Sequence, residues 1–377
     1  NRCMNVLFVG SDPTLIEEGA SRGRMREYAA AIGDLHILTT APKNFTYEEA
    51  GLRIYGVSVP KYLRVATLAK RAKQIIEKYQ IEVVSAQDPF EHGLAALRAT
   101  RGTTAKLHVQ IHTDFLSPWF VRGGNIRSPH VPVPVLNRIR RRIADRVLPQ
   151  AHGIRVVSKR ISDSVVKKYG SRVVEPSIVP ISVTQERPEK VPLPAHPFTF
   201  ALLTVGRLEP EKRIEDSIAA LARIKDAYPA VGLIVVGEGS EKPKLKKLAH
   251  ALGLGSRVVF TDGWRTDAWG LMRSSQAYIQ TSAYEGYGRT LVEAALVEVP
   301  IITTDVGIVG EVFQGYKDVL AVPVADPAAL AVHIRELVEN VALRTELAMH
   351  ARDTVIKHLQ SADSSSKAIA ADLAKLV

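Results

Sequence analysis

Short apolar runs alternate along the whole chain with longer segments that carry apolar residues every three or four positions. The runs have strand length, and the longer segments have helical spacing. In the first half, strands are predicted at 4–10, 35–39, 81–86, 106–112 and 153–157, with helices near 20–32, 63–79, 90–99, 135–147 and 160–169. A second series follows, with strands near 199–205, 232–237, 257–260, 276–281, 299–303 and 319–322. Its helices fall near 211–227, 241–251, 267–274, 288–298 and 326–339. Two further helical stretches, about 342–357 and 362–376, close the chain. Such alternation predicts parallel strands joined by helical crossovers, an α/β fold.

Pro176, Pro180, Pro188, Pro192, Pro194 and Pro197 crowd one stretch between the two series and mark the domain boundary. Residues 1–182 are expected to form one domain, 183–198 a Pro-rich linker and 199–357 a second domain. The closing segment 358–377 is expected to pack back on the first domain. Two doubly wound domains of this kind place a ligand cleft where the carboxyl ends of their strands face each other.

The length of 377 residues agrees with two domains, and 46% apolar with 24% charged residues is a soluble, globular composition. A single cysteine, Cys3, excludes a disulfide framework or a cysteine-built zinc site and fits a reducing cytoplasm. The opening run Met4–Val9 is too short for a signal peptide, and no run approaches the ~18 apolar residues that span a membrane. The expected location is cytoplasmic, peripheral at the inner membrane face if the basic segments dock there. Charge is uneven within the net +11: residues 1–180 hold 28 Lys and Arg against 15 Asp and Glu, while the remainder is nearly balanced, 22 against 24. A basic half of this kind faces either solvent or a polyanion such as phosphate-bearing lipid, an anionic membrane or nucleic acid.

Candidate chemistry concentrates in Glu285-Gly-Tyr-Gly-Arg-Thr-Leu-Val-Glu293. Two carboxylates stand eight positions apart around a helix start that opens on Gly286, Tyr287 and Gly288. Free N–H groups and the positive dipole end of such a helix suit a phosphate, here between two hydroxyl-reading carboxylates. Gly206-Arg207 and Lys212 place two cations five apart after a predicted strand, a pattern that suits a diphosphate leaving group. Surface ion pairs with Glu209 and Glu211 are the plainer reading of the same residues. Gly237 and Gly239 read best as turn glycines. At Gly263-Trp264 a planar base can rest on the loop, and simple packing of the indole fits nearly as well.

In this order and spacing, these pieces resemble the retaining glycosyltransferases of the family 4 type, the group 1 glycosyl transferases. The resemblance is strong over about 199–313 and looser over the first half, where Gln110-Ile-His112-Thr-Asp114 and Ile154–Ser158 look like inner strands of that family. It implies the GT-B fold, two Rossmann-like doubly wound domains facing a cleft. It further implies that Arg207 and Lys212 hold a donor diphosphate with backbone amides around Thr290 and Leu291, and that Glu293 binds ribose hydroxyls. Glu285 would contact the transferred sugar beside the Gly286–Gly288 amides, and His112 would reach that sugar from the first domain. The first-domain loop departs from the family's paired glycines: Gly19 stands alone, and Arg22 and Arg24 follow, where they would meet an anionic acceptor. Arg289 replaces a residue usually uncharged in the family.

The expected function is therefore transfer of a hexose-type unit, with retention, from a nucleoside diphosphate sugar of uridine or guanosine to a hydroxyl acceptor that is a glycan or lipid-linked. No cofactor is expected. No metal is expected either, because the chain has no Asp-x-Asp pair and no clustered histidine spacing. Basic segments at Lys61–Ile76 and Arg138–Arg146 either cover their own sheet or lie on an anionic leaflet; in the first, Tyr62, Val65, Leu68, Ala72 and Ile76 are expected to share one helical face. Too few aromatics interleave with the charges to favour nucleic acid. The competing readings are a nucleotide-sugar epimerase of the same fold and a non-catalytic protein that binds an anionic membrane or nucleic acid.

Overall fold

A computed structural model describes residues 3–122, 133–183, 188–263, 265–361 and 365–377. Trp264 and linker residues 184–187 lie outside the described residues. The chain divides into two compact units. One comprises Asn1–Leu116, Leu136–Ser182 and Asp363–Val377; the other comprises Ser117–Val135 and Val183–Ala362.

The N-terminal unit contains strands β1 (Met4–Gly10), β2 (Gly33–Thr40), β3 (Phe45–Glu49), β4 (Leu52–Val57), β5 (Val83–Ala86), β6 (Lys106–Ile111), β7 (Gly153–Val156) and β8 (Ser177–Ile178). Their order in the sheet is β3-β4-β2-β1-β5-β6-β7-β8, and every pairing except β3 with β4 is parallel. Helices α1 (Ala20–Ile32), α2 (Arg64–Tyr79) and α3 (Glu91–Thr100) belong to this unit, as do α5 (Val133–Val147, mostly), α6 (Lys159–Tyr169) and α13 (Ser365–Ala374); the short α4 (Pro118–Arg122) belongs to the other. Strand β1 is apolar on both faces because helices cover both sides of a parallel sheet. Val6, Phe8, Leu35 and Ile54 share one core with Ile369 and Leu373 of α13.

Sequence periodicity missed the β3–β4 hairpin. Its turn is set by Gly51 at φ 75°, and its outer strand is short, charged and half-buried, a common design for an edge. A second difference concerns Tyr62. Lys61–Leu63 form a tight 3₁₀ turn before α2, which takes Tyr62 off the helical face that buries Leu68, Ala72 and Ile76 and leaves it 84% exposed.

The C-terminal unit holds β9 (Phe200–Val205), β10 (Val231–Val236), β11 (Val258–Phe260), β12 (Ala277–Gln280), β13 (Ile301–Thr304) and β14 (Leu320–Val322). These pair in parallel in the order β11-β10-β9-β12-β13-β14. Helices α7 (Ile214–Ile224), α8 (Lys242–Ala251), α9 (Ala268–Ser274), α10 (Arg289–Leu296), α11 (Pro327–Glu339) and α12 (Val341–Ser361) surround it. The chain order reverses between β9 and β12, and at such a switch point the loops leaving neighbouring strands diverge to opposite faces and open a crevice at the carboxyl ends.

Candidate active site

Both loops at that switch point carry the charged residues singled out by sequence. After β9 comes Gly206, around which an added Cβ would meet nothing within 4 Å. Arg207 follows, its side chain 60% exposed and paired to Glu211 at 2.8 Å. Gly237 and Gly239 serve a different need: a Cβ on them would lie 2.0 Å from the Gly206 carbonyl oxygen and 2.3 Å from that of Leu208. They let the loop after β10 pack onto the loop after β9, where Leu208 N donates to Glu238 O at 2.8 Å. Gly263, at φ 70°, donates its N–H to the Glu238 carboxylate at 2.8 Å, and space is open beside its Cα.

Lys212 ends the 3₁₀ turn Pro210–Lys212 and meets Glu285 from the loop after β12, Nζ to Oε1 at 2.5 Å. The buried Ser282 hydroxyl donates to the same oxygen at 2.7 Å. Buried Thr281 fixes the opposite side of the pair by donating to the carbonyls of Lys212 and Arg213, at 3.0 and 2.9 Å. The second carboxylate oxygen of Glu285 has no hydrogen bond among the described residues. An ammonium at this distance occupies one carboxylate oxygen of Glu285 and so opposes its use as a nucleophile. Sequence alone did not bring out Ser282 or Thr281; the hydroxyl pair directly after a strand at the sheet reversal was the available signal.

Gly288 opens α10 in the left-handed region, φ 93°, and the Leu291 amide turns back to its carbonyl at 2.9 Å. Thr290 donates its hydroxyl to Gln280 on β12 at 2.7 Å. One turn on, Glu293 is 8% exposed and pairs with Arg289 at 2.8 Å. Burial raises the Glu293 pKa, against the opposing pull of Arg289 and a hydrogen bond from Trp269 on α9. Trp269 is a neighbour that sequence reasoning missed. Gly286 and Tyr287 are buried between these carboxylates, and Tyr287 extends its hydroxyl to His358 on α12 at 2.8 Å.

In the N-terminal unit, His112 follows β6 and is half-buried. Burial and then the charge of Arg155 lower its pKa to about 3, outweighing the opposite pull of Asp88, so the imidazole is neutral. Asp88 holds His92 and accepts from the Phe90 amide at 2.7 Å. Gly19 caps α1 in open surroundings. Arg22 is buried, donating to the carbonyls of Leu15 and Ile16 at 2.9 and 2.7 Å with its guanidinium 4.1 Å from the Tyr47 ring. Arg24 is exposed and, among the described residues, reaches only Ser21, at 3.3 Å. Among the described residues, no group of three His, Cys, Asp or Glu is placed to hold a metal.

Comparison with known proteins decides the family. The model for glycosyl transferases group 1 matches residues 188–354, and that for glycosyltransferase family 4 matches residues 25–184. The chain belongs to the group 1 glycosyltransferases. Glycogen synthase of Mycobacterium tuberculosis is 30% identical over 199 residues, 52% of this chain and 47% of that protein. The chain thus matches about half the length of this relative, and similarly 44% of the lipopolysaccharide core glycosyltransferase LpsD of Rhizobium meliloti. Alpha-monoglucosyldiacylglycerol synthase of Acholeplasma laidlawii is 24% identical over 74% of each chain.

Solved structures confirm the GT-B architecture. Sucrose-phosphate synthase of Thermosynechococcus elongatus superposes with a TM-score of 0.76 at 20% identity, covering 99% of this group 1 chain and 98% of that one. HepE of Anabaena, solved with UDP-glucose, gives 0.74 at 19% identity over 99% and 100%.

Proposed function

We propose that this group 1 family member is a retaining glycosyltransferase that moves a hexose-type sugar from a nucleoside diphosphate sugar to a hydroxyl acceptor, without a metal. The observation that carries this reading is the Lys212–Glu285 pair, locked by Ser282 and Thr281 beside Arg207 at the switch point of the C-terminal sheet. Before donor binds, both cations are neutralised by carboxylates. An incoming diphosphate shares these cations with their carboxylates, and they stabilise the charge that builds on it as the glycosidic bond breaks. Glu285, paired to an ammonium, is assigned to orient the sugar through its unoccupied oxygen rather than to attack it. The acceptor hydroxyl then bonds to the anomeric carbon from the face that the diphosphate leaves and passes its proton to the departing phosphate, so that the anomeric configuration is preserved. Glu293 is assigned to the ribose hydroxyls and His112 to a sugar hydroxyl, both by family resemblance.

A lipid-linked or glycan acceptor is part of the proposal. Val135, Arg138, Ile139, Arg142 and Arg146 are exposed at helical spacing along α5, and exposed Tyr62 and Leu63 adjoin the basic α2. Mixed apolar and basic faces of this kind suit an anionic leaflet, with basic contacts contributing about 1 kcal/mol each. No helix among the described residues is long and apolar enough to cross a membrane. The test is a thermal-shift panel of uridine and guanosine diphosphates and their sugars, followed by product analysis with the best donor and with anionic vesicles as acceptor surface. Donor turnover to a product of retained configuration supports the proposal. A new isomer of the donor sugar, formed without acceptor, would replace it with an epimerase.

A further inference from the structure

Tyr287 lies at the middle of the glycine-flanked loop, two residues from Glu285, and is 2% exposed. Its backbone and its side chain are both anchored. The Ile308 amide donates to its carbonyl at 3.0 Å, an approach that needs glycine at 307, where φ is 60° and a Cβ would lie 2.5 Å from that carbonyl oxygen. Its hydroxyl meets His358 Nε2 at 2.8 Å, with ring centroids 6.3 Å apart. His358 stands 71 positions away on α12, a helix that packs against α10. Burial lowers the pKa of the imidazole and raises that of Tyr287, so both groups are neutral and share one hydrogen bond between hydroxyl and ring nitrogen.

We infer that His358 is a positioning residue for sugar transfer: through the Tyr287 hydroxyl it fixes the Glu285–Gly288 loop that receives the donor sugar. The inference rests on the function proposed above. Without this bond the loop retains its backbone anchor at Ile308 but loses the side-chain anchor, so Glu285 samples unproductive arrangements. Ground-state affinity for the bare diphosphate, which depends on Arg207 and Lys212, is then little changed, and the sugar-dependent step suffers.

The experiment compares Tyr287→Phe, His358→Ala, His358→Gln and the double variant Tyr287→Phe/His358→Ala, with kcat and KM for the nucleotide sugar and the Kd of the free nucleoside diphosphate. Tyr287→Phe keeps the shape of the buried ring and removes only the hydroxyl. Each single loss is expected to lower kcat/KM by about tenfold, the scale of one buried hydrogen bond, with the diphosphate Kd unchanged. The double variant is expected to be no worse than the poorer single variant, because both remove the same contact, and His358→Gln is expected to recover part of the loss through its amide. Multiplying effects, no recovery by glutamine, or wild-type kinetics in folded Tyr287→Phe would overturn the inference. A wild-type protein that binds diphosphate and turns over no sugar would instead refute the proposed function.

Discussion

Arg22 and Arg207 each follow a glycine and a strand of a parallel sheet, yet their guanidinium groups serve opposite ends. Arg22 is buried against two carbonyls and a tyrosine ring in the N-terminal unit, with the exposed Glu18 carboxylate farther off at 3.7 Å. Arg207 is more than half exposed in the C-terminal unit, and its partner is a carboxylate. The same contrast separates Arg155, buried between Gln110 and the Val179 carbonyl, from Lys212 at the rim beside Glu285. A cation bonded to carbonyls has exchanged its hydration for the fold. One bonded to a carboxylate can be shared with a phosphate. In both pairs the buried cation is held chiefly by carbonyls, and the proposed donor site takes the more exposed one.

The largest expected effect follows from the C-terminal side of this contrast. Replacing Arg207 and Lys212 together with alanine should cut turnover by on the order of 10²–10³ while leaving the melting temperature close to wild type. Steady-state kinetics and thermal unfolding check both halves. Arg22→Ala should do the reverse, costing about 2–4 kcal/mol of stability in denaturant unfolding through unsatisfied carbonyls and a vacated ring face, with diphosphate affinity retained. If Arg22→Ala instead weakens diphosphate binding without loss of stability, the contrast fails.

Acidity offers a smaller effect that sharpens the comparison. The His112 pKa is lowered in the folded state to about 3 from the ordinary 6.5, so the unfolded chain binds the extra proton. The associated stability is present above pH 6.5 and is lost as pH falls from 6.5 towards 3. His112→Asn should flatten the pH dependence of unfolding in that window, and an unchanged slope would contradict the burial assigned to this ring. Smallest of all, Arg24→Ala should change stability by less than about 0.5 kcal/mol, because its one bond is a long contact to an exposed hydroxyl.

Much of the fold was legible because crossover helices and buried strands carry strong periodicity. The helix expected at 20–32 spans Ala20–Ile32, and the strand expected at 199–205 spans Phe200–Val205. Strand β3 escaped because an edge strand ending in Glu48 and Glu49 has only a half-buried face, and Tyr62 was misplaced because one tight turn shifts the register of α2. For the candidate site, sequence named the charged groups and the nearby Arg207–Glu211 pair, but not the distant partners. Lys212 finds Glu285 73 residues away and Tyr287 finds His358 71 away, and such pairings are set by strand order rather than by spacing. Arg22 looked like Arg24 in sequence because helical register, which decides which of them is buried, acts only once α1 packs.

The most direct measurement is calorimetric titration of the wild type and the Arg207→Ala/Lys212→Ala variant with the nucleoside diphosphate that most stabilises the wild type. The wild type is expected to bind it, and the folded double variant to bind it at least about 100-fold more weakly, as expected when two charge-assisted contacts are lost. Equal affinity in the two proteins would contradict the placement of the donor diphosphate at this pair of cations.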